Sequence, residues 1–161
     1  MTIIKPHLLL SRHVEDDDID RILDDGEQML ALCNEQHGIH KGAMAIAHSQ
    51  VTDKDPLRFF CTYDGKLVID PVIIKHSKYE VEKEEGCVSF PENKPIKVTR
   101  WQKCVVKYFL VDLVNDTADE MTQNLSGTEA QVFQHELNHF DAKYIFPVTT
   151  EILEYKNELM K

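Results

Sequence analysis

The sequence predicts an α+β fold in which antiparallel strands pack around a central helix bearing an H-E-x-x-H pattern. Three observations carry that prediction. One segment near each end has apolar residues at helical steps, short β-branched and aromatic runs lie between them, and the connections are too brief for crossover helices. At 161 residues the chain suits one domain, 1–161, with a sizeable core.

Ile19, Ile22, Leu23, Met29, Leu30 and Cys33 keep helical spacing behind Asp16, Asp17 and Asp18, whose charges favour a helix N-terminus. A first helix is therefore expected over about 16 to 36. A loop containing Gly38 and Gly42 follows, then a small-residue stretch, 43–47, and Gln50. Residues 59–63, the pair Asp64-Gly65 and residues 66–69 read as strand, two-residue turn and strand, which Pro71 ends. Further strand-like runs occupy 72–74, 79–83 and 104–114. Ser126, with Glu129 three positions on, has the form of a capping box. It opens a helix whose apolar positions Ala130, Phe133, Leu137, Phe140 and Tyr144 lead to a stop at Pro147. Residues 151–161 read as a short, charged surface helix.

Apolar residues at 42% and charged residues at 29% describe a globular chain and exclude collagen-like or wholly disordered readings. The charge sum, 18 minus 28, is -10, so neither direct nucleic-acid binding nor attachment to anionic membranes is expected. Cys33, Cys61, Cys87 and Cys104 fall 28, 26 and 17 positions apart, which is neither a disulfide framework nor a four-cysteine zinc module. Cys33, Cys61 and Cys104 sit in apolar patterns and are expected as core thiols. Residues 1–18 lack a signal or transit pattern, and no run approaches the roughly 18 apolar residues of a membrane span, so a reducing cytoplasm is expected.

The chemistry concentrates in His135-Glu136-Leu137-Asn138-His139. Residues four apart share a helix face, so both imidazoles can bind one metal ion with Glu136 beside them. A catalytic site normally has three protein ligands and one open position. The third ligand could be a downstream glutamate, Glu151, Glu154 or Glu158, as in a zinc metallopeptidase. It could also be a thiolate from upstream, Cys87 in Glu85-Gly86-Cys87-Val88-Ser89-Phe90-Pro91.

These blocks resemble the peptide deformylase family, which carries a Gly-rich block ending in Gln, then E-G-C-L-S, then Q-H-E-x-D-H. The second block stands here as Glu85-Gly86-Cys87-Val88-Ser89 and the third as Gln134-His135-Glu136-Leu137-Asn138-His139, with 48 positions from Cys87 to His135. Ile69-Asp70-Pro71 looks like the family's Ile-Asn-Pro. Ala43-Met44-Ala45-Ile46-Ala47-His48-Ser49-Gln50 aligns with G-x-G-x-A-A-x-Q, with alanine at both glycines and His48 at an alanine. The resemblance spans roughly residues 40–145.

The resemblance implies hydrolysis of the formyl group from formyl-methionyl peptides or nascent-chain N-termini. Cys87, His135 and His139 would hold one divalent ion, Fe2+ foremost, with Zn2+ or Ni2+ also suited. Glu136 would carry protons, while the Gln50 amide and Val88 N–H would stabilise the oxyanion. Ala43, Met44, Ala45, Glu85 and Gly86 would contact a peptide pairing edge-on as an added strand. Thr128, Gln131 and Val132 share the His135 face and would line the pocket for the first side chain, where two polar residues suit a smaller or more polar group than methionine. The altered first block leaves open a paralogue that binds peptide ends with little turnover. Glu85 and Arg100 are a potential pair bracing the cysteine segment, and Gln134 is either a helix-surface amide or an orienting group. His48 would share the face of Gln50 in an extended segment, although exposed or structurally bonded histidines are commoner.

Overall fold

In a computed structural model describing residues 1–40 and 43–148, two helices cover opposite faces of a five-stranded antiparallel sheet, and a two-stranded ribbon stands apart. The strands are β1 (Ala45–Ala47), β2 (Phe59–Thr62), β3 (Lys66–His76), β4 (Glu80–Glu85), β5 (Ile96–Trp101), β6 (Lys103–Asp112) and β7 (Thr117–Ser126). The sheet order is β1-β2-β3-β6-β7, and β4 pairs with β5.

Successive strand residues face opposite sides, and both sides are apolar here. Ile46, Phe59, Cys61, Leu67 and Ile69 meet Ile22, Met29, Leu32 and Cys33 of helix α1 (Ile19–Ile39). Ala45, Ala47, Phe60, Val68, Val106 and Tyr108 meet Ala130, Phe133 and Phe140 of helix α2 (Gly127–Phe140). Phe60 meets Phe133 edge-on with centroids 5.1 Å apart. Truncating so enclosed a ring to alanine costs about 3 to 5 kcal/mol. Gly26 lets α1 approach the sheet: a Cβ there would stand 2.5 Å from Leu67 Cδ1.

A 3-10 turn, Asp16–Asp18, precedes α1, which continues past the expected end at 36 to Ile39, where the His40 N–H donates to Gln36 O at 2.7 Å. The β2–β3 turn pivots on Tyr63-Asp64 rather than Asp64-Gly65. Gly65 donates its N–H to Thr62 O at 3.0 Å and takes φ +89°, the three-residue hairpin form. Pro71 does not end its strand. Asp70 adopts φ +50° and the register shifts between Ile69 and Val72, so the proline lies in a bulge and β3 runs on to His76.

Helix α2 starts at the expected place without the expected cap. Ser126 closes β7 opposite Lys103, Gly127 turns the chain at φ +59°, and no Ser126 side-chain bond to the helix forms. It also ends early, at Phe140. Ala142 takes φ +55° and Lys143 donates its N–H to Asn138 O at 2.9 Å, so Tyr144 leaves the helix. The 72–74 run belongs to β3, the 79–83 run to β4 from Glu80 onward, and the 104–114 run to β6, which ends at Asp112. The expected terminal helix, 151–161, lies outside the described residues. No described helix is long and apolar enough to cross a membrane.

Candidate metal centre

Helix α2 sets His135 and His139 one turn apart, with their Nε2 atoms 3.1 Å from each other. Cys87 follows β4 in a turn closed by the Phe90 N–H donating to Cys87 O at 2.9 Å, and its Sγ stands 3.7 Å from His139 Nε2. Among the described residues these three side chains form one cluster whose ligand atoms lie within 4.8 Å of each other. Glu151, Glu154 and Glu158 are outside the described residues.

The donor set suits a single cation. Glu85 Oε1 accepts from His135 Nδ1 at 2.7 Å, leaving His135 Nε2 free to face His139 Nε2. Ion–nitrogen bonds of about 2.0 to 2.1 Å in a tetrahedron would separate two ring nitrogens by about 3.4 Å, close to the observed gap. Glu136 is buried and its Oε2 has no partner. Such an orphaned carboxylate oxygen is costly unless water or a ligand meets it. Burial raises the Glu136 carboxyl to about 7, and drives His139 well below its ordinary range, toward the neutral ring that ligation requires. Burial alone would lower His135, but contacts with Cys87 and Glu85 reverse that and raise it to about 10. A cation among the three ligands would displace that proton.

Glu85 is itself braced. Arg100 Nε and Nη2 donate to its two oxygens at 2.9 and 2.7 Å, and Arg100 Nη1 bonds Asn138 Oδ1. Both members of the pair are buried. Burial pushes the Glu85 carboxyl up, but Arg100 and His135 outweigh it and hold the group down near about 2. Gln134 is buried rather than a surface amide. Its Oε1 accepts the Trp101 N–H at 2.8 Å and its Nε2 donates to Trp101 O at 2.9 Å, fastening α2 to β5.

Gln50 sits in a 3-10 turn, His48–Gln50, that follows β1. Its Oε1 accepts the Ala47 N–H at 2.9 Å, and its Nε2 donates to Ser89 Oγ at 2.9 Å and lies 3.6 Å from Cys87 Sγ. The segment is therefore not extended, and His48 is not on the cavity wall.

A cavity of about 440 Å³ opens beside the three ligand residues. Ala43, Met44 and Ala45 border it from the first block and Glu85, Gly86, Cys87 and Val88 from the second. Thr128, Gln131, Val132, His135 and Glu136 border it from α2. Gln131 faces this cavity, and its amide is engaged, with Nε2 donating to Glu84 O at 3.0 Å. Sequence reasoning missed His40, Phe90, Asn93 and Pro95 on the same wall, and Ser89 as the Gln50 partner. Ser89 was within reach, since it stands two residues from Cys87. Cys33, Cys61 and Cys104 are buried thiols.

A sheet between two helices, with two imidazoles and a thiol converging at one cleft, defines a protein able to hold a single metal ion beside a buried carboxyl. The polypeptide deformylase family model matches residues 14–152. A peptide deformylase of Aquifex aeolicus is 34% identical over 110 residues, covering 68% of this chain and 57% of that protein. One of Thermotoga maritima is 30% identical over 122 residues, covering 74% and 66%. The chain thus spans under two thirds of these relatives' lengths. PDF from the Vibrio parahaemolyticus bacteriophage VP16T, solved in complex with actinonin, superposes with a TM-score of 0.68 at 26% identity, covering 90% of this chain and 100% of that one. The Thermotoga maritima enzyme's crystal structure gives 0.65 at 25%, covering 88% and 95%. The chain belongs to the peptide deformylase family, whose members are metal-dependent.

Proposed function

We propose that this protein hydrolyses the N-terminal formyl group of formyl-methionyl peptides, releasing formate and a free amine. The observation that carries the reading is the convergence of Cys87, His135 and His139 on one cavity wall with Glu136 and Gln50 beside them. The ion would be Fe2+, with Zn2+ or Ni2+ suited to the same donors. When bound it would supply Lewis acidity and lower the pKa of water at the site.

The chain's own groups do the rest. Glu136 takes a proton from the attacking water and delivers it to the departing amine nitrogen as the C–N bond breaks. The Gln50 Nε2 and Val88 N–H groups stabilise the formyl oxygen as it gains negative charge. Glu85 fixes the tautomer of His135 and so directs its Nε2. Ala43, Met44 and Ala45 offer backbone to an extended peptide, with Ala45 on edge strand β1. Thr128, Gln131 and Val132 receive the first side chain, and the two polar residues among them shift the relative preference toward a smaller or more polar residue than methionine. The site of action is the reducing cytoplasm, where new chains are made and ferrous iron persists.

Anaerobic loading with Fe2+ and steady-state hydrolysis of a formyl-Met peptide test the proposal. Stoichiometric formate and amine are expected. A fully loaded protein that binds the peptide and releases no formate would instead mark a peptide-end binder.

A further inference from the structure

His48 is fully buried, and both of its ring nitrogens are engaged away from the cavity. Nδ1 accepts the Leu57 N–H at 3.0 Å, and because a backbone N–H only donates, the ring proton resides on Nε2. Nε2 donates that proton to Asp25 Oδ2 of α1 at 2.8 Å. The ring also packs on Phe59 with centroids 4.6 Å apart. Burial lowers the His48 pKa against the pull of Asp25, while Arg21 lowers it further and Asp55 opposes. Arg21 pairs with Asp25 at 3.6 Å and with Asp55 at 3.3 Å, so the Asp25 carboxylate is held from both sides.

These bonds matter because of what the turn carries two residues later. Gln50 is fixed on one flank by the Ile4 N–H donating to Gln50 O at 2.9 Å and by His7 Nε2 on Ser49 O at 2.8 Å. His48 supplies the opposite anchor, joining the turn to α1 and to the loop at Leu57. A side-chain amide positioned by a short turn moves with that turn.

We propose that His48 is a positioning residue, which, through Asp25 and the Leu57 N–H, fixes the direction in which the Gln50 amide presents its N–H groups to the cavity. The inference rests on the deformylase reading only for its kinetic readout.

The test is a double-mutant cycle in metal-loaded protein between Asp25→Ala and Gln50→Ala, with Asp25→Asn as the conservative variant. Asp25 is partly exposed on a helix, where alanine keeps the backbone helical and removes the acceptor for His48 Nε2. Asp25→Ala should lower kcat about tenfold with KM unchanged, and should lower it no further in the Gln50→Ala background. Asp25→Asn, which still accepts from Nε2, should restore most of the rate. In the Zn2+ form, the Gln50 side-chain amide resonances should shift in Asp25→Ala and stay in place in Asp25→Asn. Additive kinetic losses, or unmoved Gln50 resonances, overturn the proposal. A wild type that binds one metal ion and releases no formate sinks the deformylase reading, and the resonance measurement then decides the positioning role alone.

Discussion

Replacing Glu85 by Gln should be among the most destabilising conservative changes in the molecule. Glu85 accepts from Arg100 at 2.7 and 2.9 Å and from His135 at 2.7 Å, with Arg100 and Glu85 both buried. The neutral amide leaves the Arg100 cation desolvated against Asn138 and places an N–H where a guanidinium N–H already points. Removing one partner of a buried pair costs about 3 to 5 kcal/mol. For a chain of this size, that lowers Tm by about 6 to 20 °C. The assay is thermal or urea unfolding of chelator-treated wild type and Glu85→Gln, so that metal linkage does not contribute. Competitive titration should separately show about a 10- to 100-fold loss of metal affinity, because His135 Nδ1 loses its charged acceptor. Replacing both members, as Glu85→Leu with Arg100→Met, should cost less than the sum of the single changes. A Glu85→Gln protein unfolding within about 1 kcal/mol of wild type would refute the reasoning, because that is the scale of a solvent-screened surface pair.

Cys87→Ala and His139→Ala should each lose the bound ion on metal analysis of the purified protein, whereas retention in Cys87→Ala would move the third ligand elsewhere. Glu136→Ala should keep the metal and abolish formate release, and Gln50→Ala should keep it with about 10² to 10³ lost from kcat. Gln131→Ile should raise the formyl-Met to formyl-Ala kcat/KM ratio about tenfold, and an unchanged ratio would show that Gln131 does not select the first side chain. Arg12 bonds both oxygens of Asp18 at 2.8 Å and holds its carboxyl down to about 2. A depressed carboxylate contributes stability above its unfolded pKa near about 3.9 and loses it as pH falls toward the folded value. Wild type should therefore lose stability between about pH 4 and 2, and Asp18→Asn should be weaker at neutral pH with a shallower acid limb in pH-dependent unfolding.

Much of this site was legible because it is local or ordered along the chain. The four-residue step from His135 to His139 fixes a shared face, and the Glu85–Ser89 block brings its own turn. What escaped is what neighbours impose. Strand β7 reads as Thr-Ala-Asp-Glu-Met-Thr-Gln-Asn-Leu-Ser, without a continuous apolar face, and forms through its ten-residue pairing with β6. Asp112 starts that hairpin by accepting the Val114 and Asn115 N–H groups at 3.0 Å. Helical spacing alone carries α2 on to Tyr144, although the helix ends at Phe140. The Tyr144 hydroxyl donates to His7 O at 2.8 Å, a contact across 137 residues. His48 is the structurally bonded histidine that is the commoner case, and its sharing a face with Gln50 in an extended segment fails because alternation holds in a strand and not in a 3-10 turn.

The enclosed core also divides the four thiols into two chemical populations. Burial raises the Cys33 thiol to about 12 and pushes Cys61 and Cys104 up as well, so these three remain protonated and shielded from electrophiles while the fold is intact. Cys87 alone is half-buried beside an open cleft. Thiol-directed alkylating reagents are therefore channelled to one atom, and a bound ion would shelter it. Counting reactive thiols thus gauges two states of the molecule: the first to react reports a vacant centre, and the other three report an opened core.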